Sequence, residues 1–134
     1  MYATTYAKAK DVADAVSQLK GADEGKLLAG GQTLIPTLKQ RLASSDCLID
    51  LSDAGLSGIS DEGGSIRIGA MTRHVEVETS KLVKKAIPAL AALASGIGDR
   101  QVRNCGTIGG SVANNDPSAC YPSALLALGA TVHT

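Results

Sequence analysis

The residues of this sequence best suited to chemistry are two pairs of adjacent glycines. "AGGQT" runs over Ala29, Gly30, Gly31, Gln32 and Thr33, and "TIGGS" over Thr107, Ile108, Gly109, Gly110 and Ser111. Each sets a Gly-Gly pair beside a hydroxyl. Without a Cβ the backbone can approach a ligand closely and adopt φ > 0. Successive N–H groups then line a concavity for an anion, most favourably next to a helix start. Taken singly, each loop reads more readily as a tight turn. Together, with matching hydroxyls, they suit a diphosphate held from two sides. Neither is a GxGxxG or GxxxxGK[ST] motif. "GIGDRQ" (96–101) lacks the third glycine of a dinucleotide fingerprint and follows a helix, which argues against a Rossmann site.

The remaining ionisable residues offer little to an acid–base or covalent enzyme. There are no paired carboxylates, no Ser-His-Asp order and no Cys-His pair, so no residue is assigned a catalytic role. His74 reads as a solvent-side or capping histidine, and His133 has no visible partner. Asp99, Arg100 and Arg103 read as surface charge pairing; the sharper alternative is that Arg103 supports the second loop. Asp116, before Pro117, suits an Asx turn. Cys47, Cys105 and Cys120 are odd in number and lack a CxxC, which leaves no case for a disulfide framework or a metal or iron–sulfur site.

The elements that must position the loops follow from the hydrophobic pattern. Val12, Ala15, Val16 and Leu19 recur at helical spacing, with Gly21 as a C-cap. "KLLAG" and "CLIDL" are short strands, and "TLIPTLKQRL" is a helix with Thr33 near its start. Residues 1–53 thus read as a β-α-β-α-β unit. After Asp53 the texture changes. "LSGIS" and "SIRIGAM" flank Asp-Glu-Gly-Gly as a hairpin. Thr72 is expected to cap a helix over 73–79, with Glu76 near the capping-box position. A long helix over 80–95 should bend or restart at Pro88. "QVRN" reads as extended, "TIGGSVANND" as a loop, and Pro117 or Pro122 as the opening of a last helix. "ATVHT" reads as the start of a strand with nothing to pair it. The chain therefore reads as a truncated product with an open strand edge, which favours homo-oligomers. Residues 54–134 form the second, incomplete subdomain of an α+β fold.

Composition excludes several classes. A chain of 134 residues with 44% hydrophobic content is globular, and buries roughly two-thirds of its unfolded surface. Net charge is zero with no Lys/Arg cluster, which argues against nucleic acid. Tyr2, Tyr6 and Tyr121 are the only aromatics, too few for a stacking platform. No apolar stretch reaches the roughly 18 residues of a membrane span. The N-terminus lacks the apolar core of a signal peptide, so a cytoplasmic protein is expected.

"LLAGGQTLIPTLKQRL" followed by "QVRNCGTIGGSVANNDPSACYPSALLALGA" resembles the FAD-binding medium subunit of molybdenum hydroxylases, the xanthine dehydrogenase and carbon monoxide dehydrogenase group. The resemblance covers essentially the whole chain. It implies the two-subdomain flavin fold of the vanillyl-alcohol oxidase (PCMH) type. It implies that Ala29, Gly30, Gly31, Gln32 and Thr33 wrap the diphosphate of a non-covalently bound FAD from one subdomain. Thr107, Ile108, Gly109, Gly110 and Ser111 would hold it from the other. It further implies a large molybdenum-cofactor subunit and a small iron–sulfur subunit as partners, with electrons passing from the clusters through FAD to an external acceptor. Cys120 departs from the family, which places an Asp there to contact a ribose hydroxyl; thiol is a poor acceptor. Family members also continue well beyond residue 134. Two other readings stay open: a flavin domain that folds without holding FAD, and a domain for another phosphate ligand.

Overall fold

A computed structural model describes residues 1–134. The first fifty residues form the expected alternation: β1 (Thr5–Lys8), α1 (Val12–Gly21), β2 (Lys26–Leu28), α2 (Leu34–Lys39) and β3 (Cys47–Asp50). All three strands are parallel, in the order β1-β3-β2, with Tyr6 opposite Leu48 and Leu27 opposite Ile49. Parallel neighbours need a crossover, and α1 and α2 supply it. Asp11 starts α1 by accepting the Asp14 N–H at 2.8 Å. The helix buries Ala15 against Ala9 and the fully buried Ile49, forming a small core of its own. Gly21 is the last helical residue rather than the cap, because the chain turns into extended backbone at Ala22.

The following chain begins with the expected hairpin, β4 (Ile59–Asp61) against β5 (Ile66–Ile68), antiparallel with Ile59 opposite Ile68. The turn uses Gly63 and Gly64, both at positive φ. Six short helices follow: α3 (His74–Thr79), α4 (Lys81–Ala86), α5 (Pro88–Ser95), α6 (Arg100–Cys105), α7 (Ile108–Asn114) and α8 (Cys120–Ala127). The helix expected over 80–95 restarts at Pro88 as anticipated, since Pro88 begins α5 and cannot continue α4. With no Phe or Trp available, the second core is built from Val77, Val83, Leu90, Ala91, Ala94 and Ile108 around one large side chain, Tyr121. Ile59 and Ile68 of the hairpin pack against it.

Three expectations fail in this half. "QVRN" is helical, because Asp99 caps α6 by accepting the Val102 N–H at 2.8 Å. "TIGGSVANND" is not a loop: Thr107 caps α7, which starts at Ile108 and stops at Asn115 in the left-handed conformation. "ATVHT" forms no strand. Its β-branched residues favour extended backbone, but no neighbouring strand lies beside them to complete a ladder. The open edge expected from that segment is therefore not present.

Candidate functional site

The first glycine loop leaves the C-terminal end of β2. Gly31 sits at φ +70°, where a side chain is strained. The loop carbonyls face inward: Gly31 O accepts from Ile35 N–H at 3.0 Å, Thr33 O from Thr37 N–H at 3.1 Å, and Gly30 O from Gln32 Nε2 at 3.0 Å. The N–H groups have no such partners. From Gly30 through Leu34, no amide donates to any acceptor in the protein. Thr33 makes no cap bond to α2, so its exposed hydroxyl is free as well. A run of consecutive unpaired amides is what an anion nest requires.

The second loop is different. Thr107 Oγ1 accepts the Gly110 N–H at 3.1 Å, and Thr107 O accepts that of Ser111 at 3.0 Å. Ile108 N–H donates to Thr72 O at 3.0 Å, and Gly109 N–H to Ala70 O at 2.8 Å. Every amide from Ile108 to Ser111 is engaged, so the expected second amide nest is absent. The glycines serve packing instead. A Cβ on Gly109 would stand 2.5 Å from Ala70 Cβ and 2.7 Å from its carbonyl oxygen, and one on Gly110 would stand 2.8 Å from Thr107 Oγ1.

The two loops touch. A Cβ on Gly30 would overlap the Cys105 carbonyl oxygen and stand 2.6 Å from Gly106 Cα. On Gly110 it would reach 3.4 Å from Ala29 Cβ. Gly30 and Gly106, about seventy-five positions apart in sequence, thus face one another across a backbone-to-backbone contact that only glycine permits.

The second loop is held by a segment that sequence reasoning did not assign to it, Ala70 to His74. Besides the carbonyls of Ala70 and Thr72, it contributes His74 N–H, which donates to Gly106 O at 3.0 Å. Thr72 does not cap α3. It is fully buried, and its hydroxyl takes the Gly58 N–H at 3.0 Å and donates to Gly58 O at 3.1 Å. Glu76 does fill its expected place, accepting the Arg73 N–H at 2.8 Å. His74 is neither solvent-side nor a cap. It is buried, its Nδ1 has no partner, and its ring lies 5.3 Å from that of Tyr121. Burial holds its pKa below the ordinary imidazole value, and raises that of the Tyr121 hydroxyl, which is also buried without a partner. The available signal, a polar residue followed two positions later by another after an apolar run, also marks a helix start, and α3 does begin at His74.

Arg103 lends nothing to the second loop: its Nε pairs with Glu78 at 3.0 Å and its Nη1 with Ile97 O at 3.2 Å. Asp116 accepts the Ser118 N–H at 2.8 Å in the expected Asx turn. Cys120 is exposed at the first turn of α8, and all three cysteines are unpaired. No helix is long and apolar enough to cross a membrane.

A free amide run on one loop, set against a second loop packed tightly enough to fix its position, fits the diphosphate of a dinucleotide. Comparison with known proteins decides which one. Residues 2–134 match the family described as the FAD binding domain in molybdopterin dehydrogenase. The chain belongs to this family. Its relatives include the glyceraldehyde dehydrogenase medium chain of Sulfolobus acidocaldarius, 39% identical over 129 residues, which cover 96% of this chain and 46% of that one. The carbon monoxide dehydrogenase medium chain of Afipia carboxidovorans is 42% identical over 127 residues, 93% of this chain and 44% of that one. Among solved structures, the Cu,Mo-CO dehydrogenase in its cyanide-inactivated form superposes with a TM-score of 0.91 at 40% identity, covering 95% of this chain and 45% of that one. Quinoline 2-oxidoreductase from Pseudomonas putida 86 gives 0.86 at 34% identity, over 90% of this chain and 42% of that one. The fold is thus that of the FAD domain in these medium chains, and the chain spans less than half the length of the relatives it matches.

Proposed function

We propose that this chain is the FAD-binding part of the flavoprotein subunit of a molybdenum hydroxylase, an oxidoreductase that works with a large molybdenum-cofactor subunit and a small iron–sulfur subunit. The observation that carries the reading is the unpaired amide run from Gly30 to Leu34. Ala29, Gly30, Gly31, Gln32 and Thr33 hold the FAD diphosphate through those amides and the Thr33 hydroxyl. Thr107, Ile108, Gly109, Gly110 and Ser111 act from the other side chiefly by shape. Their amides are engaged, which leaves the Ser111 hydroxyl as their polar contribution. The division into residues 1–53 and 54–134 is supported by the separate sheets and cores on either side, with the cofactor lying where the two loops meet.

When bound, FAD supplies the redox chemistry, taking electrons from the iron–sulfur subunit and passing them to an external acceptor. The protein contributes binding and orientation, and none of its side chains acts as a catalytic acid or base. A cytoplasmic setting fits the three unpaired thiols.

The purified full chain is expected to show flavin absorption, or to acquire it on titration with FAD. After acid precipitation the yellow colour should stay in solution. A protein that takes up no FAD overturns the reading, and colour in the pellet overturns non-covalent attachment.

A further inference from the structure

We infer that His74 is a positioning residue of the FAD site: its imidazole, wedged between Tyr121 and Gly106, sets the contact between the two glycine loops. The inference rests on the FAD reading above. Its basis is a continuous line of contacts. The Tyr121 ring is fully buried and tilted 45° to the imidazole at 5.3 Å. On the far side, a Cβ on Gly106 would stand 2.5 Å from His74 Nε2 and 2.9 Å from Cδ2, so the imidazole lies directly against the glycine. Gly106 in turn meets Gly30, whose own Cβ would be 2.6 Å from Gly106 Cα. Tyr121, His74, Gly106 and Gly30 thus form one stack from the second core to the amide run. The His74 N–H bond to Gly106 O at 3.0 Å ties the same two residues through the backbone. Protein interiors are close-packed, so a shift of the ring moves the loop.

The electrical surroundings make the wedge sensitive to protons. His74 Nδ1 is buried without a partner. On its own helix Glu76 is engaged by Arg73 N–H and Glu78 by the Arg103 guanidinium from α6. Neither these nor Arg100 hydrogen-bonds the imidazole. The lysines of α4, Lys81, Lys84 and Lys85, add only positive charge, and α5 has no ionisable side chain. From α8 come Cys120 and Tyr121; the Tyr121 hydroxyl is unpartnered and makes no hydrogen bond to the imidazole. No carboxylate stabilises an imidazolium here, and burial lowers the pKa accordingly. The sign follows. The folded, loaded protein binds fewer protons at this site than the loosened one. Fold stability is therefore complete above the ordinary imidazole range and declines as pH falls through it, while FAD affinity declines below that range, where the already lowered pKa of the unloaded folded protein lies. By linkage, bound FAD must lower the His74 pKa further.

Two measurements on the full chain test this. FAD titration across the mildly acidic range should show affinity falling by up to about tenfold per pH unit, the slope of a single linked proton. The His74→Gln variant should bind FAD with a flat profile over that range. Independently, the wild-type imidazole signals, assigned with a His133→Gln variant, should titrate at lower pH with FAD bound than without. Should His74→Gln fail to fold, that wild-type shift still decides. An unchanged pKa on FAD binding, or a His74→Gln profile as steep as wild type, overturns the inference alone. Absence of FAD binding at every pH overturns the FAD reading itself, and the inference with it.

Discussion

The two Gly-Gly-hydroxyl loops look alike in sequence and behave oppositely in three dimensions. In the first, carbonyls are tied inward and the amides from Gly30 to Leu34 are left free. In the second, each amide from Ile108 to Ser111 is taken, two of them by carbonyls of the Ala70–His74 segment. Glycine is used for different reasons. At Gly31 it permits a positive φ within the run of free amides. At Gly109 it lets helix α7 lie against the Ala70 backbone. One loop leaves its amides free and the other is an anchored wall, so a glycine pair reports close backbone approach without saying what approaches.

The comparison can be broken most severely where the loops meet. Gly30→Ala puts a Cβ into the Cys105 carbonyl and Gly106, which are backbone and cannot swing aside. It should abolish measurable FAD uptake and lower the thermal midpoint together. Normal uptake at an unchanged midpoint would mean that the loops do not touch in solution. Next in size, Gly109→Ala drives a Cβ against Ala70. Overpacking of this kind costs about 1–3 kcal/mol, and the urea midpoint should fall accordingly, with loss of FAD following only from loss of fold. If affinity drops while the midpoint holds, the second loop is a ligand surface after all and the contrast fails. The smallest effect is expected at Cys120→Asp. A hydrogen bond to a charged acceptor is worth about 1.5–3 kcal/mol, less the desolvation of the carboxylate, so FAD dissociation constants from titration should improve by several-fold. Weaker binding would show that the ribose is held in another way.

Much of the first half was legible. β2, α2 and β3 are short segments bounded by glycine, proline and capping residues, and their spacing identifies them with little help from the rest of the chain. The hairpin was legible for the same reason, since Asp-Glu-Gly-Gly is a local turn signal. The second half was read less well, and each miss has a physical cause. "TIGGSVANND" carries glycines that disfavour helix on their own; the Thr107 cap and the carbonyls of Thr72 and Ala70 override that preference. His74 carries a polar ring into the core because Gly106 leaves room for it and Tyr121 covers it, and these partners lie thirty and nearly fifty residues away.

The sequence alone pointed to an anionic ligand through its glycine pairs and hydroxyls, and to the family through the resemblance of its two quoted stretches, because both are local features that survive without coordinates. It also determined the order of elements through residue 68. Only the tertiary structure decided which loop keeps its amides free. A backbone N–H is available to a phosphate only if no carbonyl reaches it first. For Ile108 and Gly109 the competing carbonyls belong to a segment more than thirty residues earlier, brought alongside by the packing of α3 and α6. For Gly30 through Leu34 nothing in the fold arrives to compete.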